Sequence, residues 1–316
     1  MQKTQFKGVV MLLLTAFIWG SSFVAQDIGM DKIEAFTYNG VRTLLGAIVL
    51  IPIILVRDAV SQKKNPVPKE VRKAENKKVI INGSILGVIL CVASNFQQFA
   101  FNDSSAGKIA FITAFYMMFV PVFGLFLKKK VPLATWFCVI CGCVGLYFLC
   151  IAGKGFSGIN KGDFMAFICS IAYAVHILAI ERLAPEVDSV KLSCVQFTVS
   201  GIISCILMFI FETPNISDIM SAWVSIAYAG VLSCGVAYTL QIVGQKFTES
   251  TVASLLMCTE SLFGVVCSAI VLKEKMTEYE YIGCAIMFVA IVLSQVDIPV
   301  LIKAHKNKSE TARYKK

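Results

Sequence analysis

The residues of this 316-residue chain that could do chemistry are ionisable and amide side chains set inside long apolar runs. Arg42 lies within the run 35–56, about 9 Å from the nearer end at ~1.5 Å per residue. An arginine near the middle of a membrane helix costs on the order of 3 kcal/mol, which its apolar neighbours can offset. Its planar guanidinium suits a substrate carboxylate or phosphate. The same side chain can snorkel to headgroups or tie helices together, and the sequence leaves both readings open. Glu260 lies ten residues into the run 250–272, about 15 Å deep, beyond snorkelling reach. Desolvation disfavours its charged form, so it reads as a proton carrier or cation partner, or as a neutral acid bonded to a neighbouring helix. His176 has no nearby metal ligand in sequence and reads as a core histidine or a pathway group. Asn95 and Gln98, three apart, share one helix face and Gln97 is turned from it. The pair serves equally as pathway lining or interhelical glue. Trp19, Ser22, Asn39, Tyr116, Gln196, Tyr238 and Gln241 complete the candidate substrate pathway, although several of them suit plain packing.

The elements that must position these groups are apolar and long. Apolar residues make up 57% of the chain and charged residues 16%, with a mean hydropathy of +0.75, whereas soluble domains carry about 25% charged residues. Runs near 8–26, 35–56, 79–100, 106–127, 133–152, 163–180, 192–211, 219–242, 250–272 and 279–297 each approach the ~20 residues that span a bilayer core. The first lacks a cleavage site and is read as a retained helix. The fold class expected is therefore all-α integral membrane, with ten transmembrane helices. Pro121 is expected to open or bend the fourth helix, and Pro52 to do the same near the end of the second.

Lysine and arginine placement gives an orientation, because cytoplasmic segments retain positive charge. With the N-terminus inside, 22 of the basic residues fall inside and six outside, namely Lys32, Lys108, Lys154, Lys161, Lys273 and Lys275. Both termini are expected in the cytoplasm and the chain in the cell membrane. The +9 charge is then topological. The basic segment 57–78 and the tail read as contacts with membrane lipids, and no nucleic-acid motif accompanies them. All twelve cysteines lie in apolar spans, where they pack as small hydrophobes; Cys138, Cys141 and Cys143 lack a His or acidic partner and predict no metal site.

An odd helix number per half makes the second half enter from the opposite side, so ten helices read as two inverted five-helix repeats. The expected division is 1–152 for helices one to five, 153–298 for helices six to ten, and 299–316 for a basic cytoplasmic tail. Weak echoes accompany it: Trp19-Gly20-Ser21-Ser22 with Tyr173-Ala174-Val175-His176, and Leu127-Lys128-Lys129-Lys130 with Leu272-Lys273-Glu274-Lys275. Secondary transporters use such a pair of bundles with a site at their interface.

The ordered fragments Ile18-Trp19-Gly20-Ser21-Ser22-Phe23-Val24, Asn39-x-x-Arg42, Gln98-Phe99-Ala100-Phe101 and Ser104-Ser105-Ala106-Gly107-Lys108 resemble the EamA family of the drug/metabolite transporter superfamily. Val252-Ala253-Ser254-Leu255-Leu256-Met257, Glu260-Ser261-Leu262-Phe263 and the exit Leu272-Lys273-Glu274-Lys275 extend the likeness over residues 8 to 296. The resemblance implies ten helices around a central cavity, no cofactor, and transport of small organic solutes such as amino acids or other metabolites, often outward. Many relatives place proline after the glutamate where this chain has Ser261, which puts a kink in the ninth helix in question. A phosphate-binding loop of the type G-x-x-x-x-G-K-[ST] is absent from the sequence, consistent with a gradient-driven secondary active transporter. The expected function is alternating-access transport, in the exporting direction, of small metabolites or drugs, with proton exchange through Glu260 as the coupling. An enzyme is not expected, because neither HExxH nor GxSxG occurs. A non-transporting or lipid-handling membrane protein is the alternative, and it predicts an apolar or closed centre. Small-residue faces leave a homodimer open.

Overall fold

Apolar side chains face outward in this molecule and polar ones inward, as a lipid solvent requires. Leu14, Phe17, Ile48, Ile85 and Val144 are exposed, whereas Gln98, His176, Gln196 and Asn39 are wholly buried. The computed structural model describes residues 3–64, 66–104, 106–153, 159–271 and 277–295. Lys154, Ser105, the exit Leu272-Lys273-Glu274-Lys275 and the tail 299–316 lie outside the described residues.

Ten helical segments follow one another: α1 Lys3–Met30, α2 Ala35–Lys64, α3 Lys69–Ala100, α4 Ala106–Phe126, α5 Leu133–Cys150, α6 Lys161–Leu183, α7 Ser189–Phe211, α8 Trp223–Gln245, α9 Ser250–Met257 continued by Glu260–Val271, and α10 Glu278–Gln295. A short helix, Ile216–Ser221, joins α7 to α8. Among the described residues eight helices are long and apolar enough to cross a membrane, and Leu133–Leu149 is a shorter apolar one. The sequence placed the end of α2 near 56 and the start of α3 near 79, but the helices run to Lys64 and from Lys69. Hydropathy reads only the apolar part, and the flanking Lys, Glu, Ala and Arg residues are good helix formers that carry the turns into water. At ~1.5 Å per residue both helices reach about 45 Å, well past a ~30 Å hydrocarbon core. Pro52 does not end α2, which continues through it; one lost backbone bond is tolerated when the adjoining turns stay intact.

The main packing joins the two halves to each other. Helix α2 packs on α7 and α5 on α10, while α3 lies against α6 and α7, α4 against α6, and both α8 and α9 against α1, with α8 also on α2. Exchanging each helix for the one five places on turns this pattern into itself, as two inverted five-helix repeats require. Close approach needs missing side chains. At the α5–α10 crossing, a Cβ on Gly283 would lie 2.6 Å from the Leu149 amide nitrogen and 2.7 Å from the Gly145 carbonyl.

Polar clusters fasten α4 to α6 at both ends. At the far face, away from the N-terminus, Lys108 Nζ lies 2.6 Å from the Asp163 carboxylate, with side-chain exposures of 13% and 5%. The same carboxylate caps α6 by accepting from the Asn160 backbone at 2.9 Å and has the Ser104 hydroxyl 2.7 Å away. At the N-terminal face Lys129 pairs with Glu181. Breaking a buried pair by removing one partner strands the other charge. Lys108→Met is accordingly expected to lower unfolding stability by about 3 kcal/mol or more, read as a fall in thermal midpoint in detergent.

Candidate functional site

Two broken helices meet at mid-depth. In α4 the break falls at Ala114 and Phe115, between Ala106–Thr113 and Tyr116–Phe126. Here amides bond three residues back, Phe115 to Ile112 and Met117 to Ala114. Pro121, which cannot donate, stands within the second piece and not at the break itself. In α9 the break lies at Cys258 and Thr259, although position 261 is serine. The Thr259 hydroxyl donates to the Leu256 carbonyl at 2.6 Å and the Cys258 thiol to the Leu255 carbonyl at 3.0 Å. Side chains that capture carbonyls in this way compete with the helical ladder, so α9 breaks without a proline.

Tyr116 and Glu260 are each the first residue of a second piece, and they meet: the tyrosine hydroxyl donates to Glu260 Oε1 at 3.3 Å. The bond joins structurally equivalent positions of the two halves. The glutamate stands at the start of a helix, where unpaired amides favour a carboxylate. Gly20 of α1 makes room for this turn, since a Cβ there would overlap the Glu260 carbonyl oxygen and lie 2.7 Å from the Gly264 nitrogen.

Arg42 is 5% exposed. Its Nε donates to Asn39 Oδ1 and one terminal nitrogen donates to Gln26 Oε1, each at 2.7 Å. The guanidinium carbon lies 5.2 Å from the centre of the Tyr38 ring, a cation–π distance. Every partner is neutral. Asn39 is itself held by Asn95 Oδ1 at 3.0 Å, and Asn95 donates to Ser204 Oγ at 2.9 Å.

Between these two charged-type groups lies a narrow cavity with room for a few water molecules. Its walls are aromatic. The Trp19 and Tyr238 ring centres are 4.7 Å apart, and the Tyr173 and Tyr238 hydroxyls are 3.1 Å apart. The Trp19 indole nitrogen and Gln241 Oε1 are buried without a hydrogen-bond partner. Ser233 and Tyr238 come from a π-helical stretch of α8, Tyr228–Tyr238, a local winding often found where a helix serves a site.

Of the residues singled out from the sequence, Trp19, Arg42, Tyr116, Tyr238, Gln241 and Glu260 line this cavity. Asn39 and Asn95 stand one and two bonds behind Arg42. His176 and Gln196 form their own pair at 3.2 Å, with the imidazole 6.2 Å from the Tyr238 ring. Ser22 and Gln98 are fully buried elsewhere. Sequence reasoning missed Gln26, Gln97, Tyr173 and Ser233 as lining residues. Gln26 had a signal, because it is the one amide within the apolar run 8–26. Tyr173 had one too, since it echoes Trp19. Among the described residues no group of three or more His, Cys, Asp or Glu side chains is gathered to hold a metal, and the eleven cysteines with described side chains are free.

The EamA-like transporter family model matches residues 6–151 and again 160–295. The chain belongs to this family. An uncharacterized transporter of Archaeoglobus fulgidus is 24% identical to this EamA protein over 283 residues, 89% of this chain and 83% of the relative. The uncharacterized transporter YoaV of Bacillus subtilis is 22% identical, over 74% of this chain and 78% of its own. The uncharacterized inner membrane transporter YedA of Escherichia coli K12 is 20% identical, over 87% and 86%. A crystal structure at 17% identity superposes with a TM-score of 0.71, covering 90% of this chain and 96% of the other, which shows the shared fold. The EamA protein is thus a multi-pass membrane transporter.

Proposed function

We propose that this EamA protein is a secondary active transporter that exports small organic metabolites bearing a carboxylate, amino acids and drugs among them, across the cell membrane by alternating access. One observation carries the reading. Arg42 and Glu260 line the same cavity, yet neither is paired with the other, and both are held by neutral groups. A cavity that keeps a guanidinium without a counter-charge is suited to a solute that brings one. The aromatic walls offer faces for an organic skeleton or an ammonium group. Packing mainly between the halves gives the bundles a shared surface on which to rock. Proton exchange through Glu260 supplies the coupling, and both termini lie in the cytoplasm with the basic ends of α2 and α3.

A thermal-shift screen of the purified protein against amino acids, nucleosides, vitamins and drugs tests the binding step, since a ligand that binds only the folded state raises its midpoint. Carboxylate-bearing solutes are expected to give the shifts. In proteoliposomes Glu260→Gln is expected to lose uptake driven by a pH gradient while retaining substrate exchange. Unchanged gradient-driven uptake in that variant would exclude the coupling role.

A further inference from the structure

Helix α7 carries a second polar feature, apart from the cavity. Ser193, Gln196, Ser200 and Ser204 recur at intervals of three and four residues, which puts them on one face, and each is 0% exposed. A buried membrane serine ordinarily bonds a carbonyl of its own helix, as Thr198 does to Cys194 on this same helix at 2.8 Å. Ser193 Oγ and Ser200 Oγ do not; Ser193 has no other partner, and Ser200 has only the Cys91 thiol beside it. Neither has Gln196 Nε2, nor His176 Nδ1 on the other side of the Gln196–His176 bond. Three orphaned polar atoms, and a fourth with only a thiol beside it, thus lie along the interior of a bundle in which each would cost free energy if left dry.

The chemistry of the orphans selects their ligand. The Gln196 amide nitrogen can only donate, the hydroxyls can do either, and the imidazole nitrogen depends on its tautomer. A cation would satisfy the oxygens and be repelled by the amide group, and an anion would do the reverse. Only a small neutral species that donates and accepts suits them all. We propose that the buried face of α7 from Ser193 to Ser204 is an internal water-binding seam that leads from the N-terminal face of the bundle to Arg42. At ~1.5 Å per residue the eleven intervening steps span about 16 Å, half the hydrocarbon core. The inner end begins one turn from the start of α7, whose N-cap Asp188 pairs with Arg57. The outer end continues through bonded groups, Ser204 to Asn95 to Asn39 to Arg42. His176 stands midway, one nitrogen on Gln196 and the other buried without a partner. The seam gives that imidazole and the Arg42 network an aqueous connection separate from the substrate cavity, whatever solute the cavity carries.

X-ray radiolytic footprinting of the full chain in nanodiscs, read by mass spectrometry, detects ordered water through the side chains that it oxidises. Cys91, whose sulfur lies 3.6 Å from Ser204 Oγ, and His176 are the reporters. Cys138 and Met117, equally buried among apolar groups, are the dry controls. The expected result is oxidation of Cys91 and His176, each rate taken relative to the same residue in the denatured protein, several-fold faster than either control. The double variant Ser193→Ala/Ser200→Ala, checked for an unchanged thermal midpoint, is expected to bring His176 down to the control rate. Equal rates at reporters and controls in the native protein would overturn the seam, and so would a double variant that folds normally and labels as fast as before. If the variant does not fold, Ser193→Thr/Ser200→Thr, which keeps the hydroxyls but narrows the seam, must slow His176 labelling or the proposal fails.

Discussion

Arg42→Gln is expected to abolish the thermal stabilisation given by carboxylate-bearing solutes, with binding weakened by about a hundredfold or more. Truncating one member of a buried charged pair costs on the order of 2–5 kcal/mol, and each 1.4 kcal/mol is about tenfold in affinity. The variant should nevertheless insert and fold. Removing the arginine relieves a cost of about 3 kcal/mol on membrane insertion, while the acceptors left on Gln26 and Asn39 return about 1–3 kcal/mol each. Together these leave stability within about 3 kcal/mol of the native protein, while recognition is lost. Arg42→Lys separates charge from shape, because an ammonium lacks the planar fork that now bonds Asn39 and Gln26 from different nitrogens. It is expected to recover only part of the affinity, measured by titrating the same solutes.

The second large effect is expected at a residue with no side chain. Gly20→Val should eliminate transport in proteoliposomes while leaving a membrane-inserted protein. The added atoms meet backbone, the Glu260 carbonyl oxygen and Gly264 nitrogen, together with Phe263 Cβ at 2.8 Å. Backbone cannot turn aside as a side chain can, so α1 and α9 must part, and overpacking of this kind typically costs 1–3 kcal/mol or more. The displacement falls on the turn that carries Glu260 and its bond to Tyr116. Gly264→Ala is the control. Its nearest neighbour, the Gly20 carbonyl, is 3.4 Å away, ordinary contact, and the variant should transport nearly as well as the native protein.

The positions of Arg42 and Glu260 were legible in the sequence because charge inside an apolar run is rare and its depth can be counted. Ten helices were legible for the same reason. The face each amide presents was not. Asn95 and Gln98 share a face, yet Gln97, turned the other way, reaches the Tyr173 hydroxyl at 3.3 Å and lines the cavity. Spacing fixes which residues lie together, whereas the rotation of a helix buried on several sides is set by its neighbours. The break in α9 was hidden for another reason. Cys258 and Thr259 are ordinary membrane-helix residues, and only their bonds to the carbonyls of Leu255 and Leu256 show that the ladder is interrupted. Pro52 taught the converse, because a residue that weakens helices sits inside an unbroken one.

Packing mainly between the halves has a consequence for biosynthesis. Arg42 takes its bonded partners, Gln26 and Asn39, from the first two helices to emerge, so its charge is provided for before half of the chain exists. Glu260 arrives late and finds its donor, Tyr116, already in the membrane. The early helices nevertheless have little apolar contact with one another and wait for α6 to α10 to cover them. The nascent protein must therefore persist for much of its synthesis as loosely associated helices in lipid, and the finished bundle closes only when the last of them is delivered.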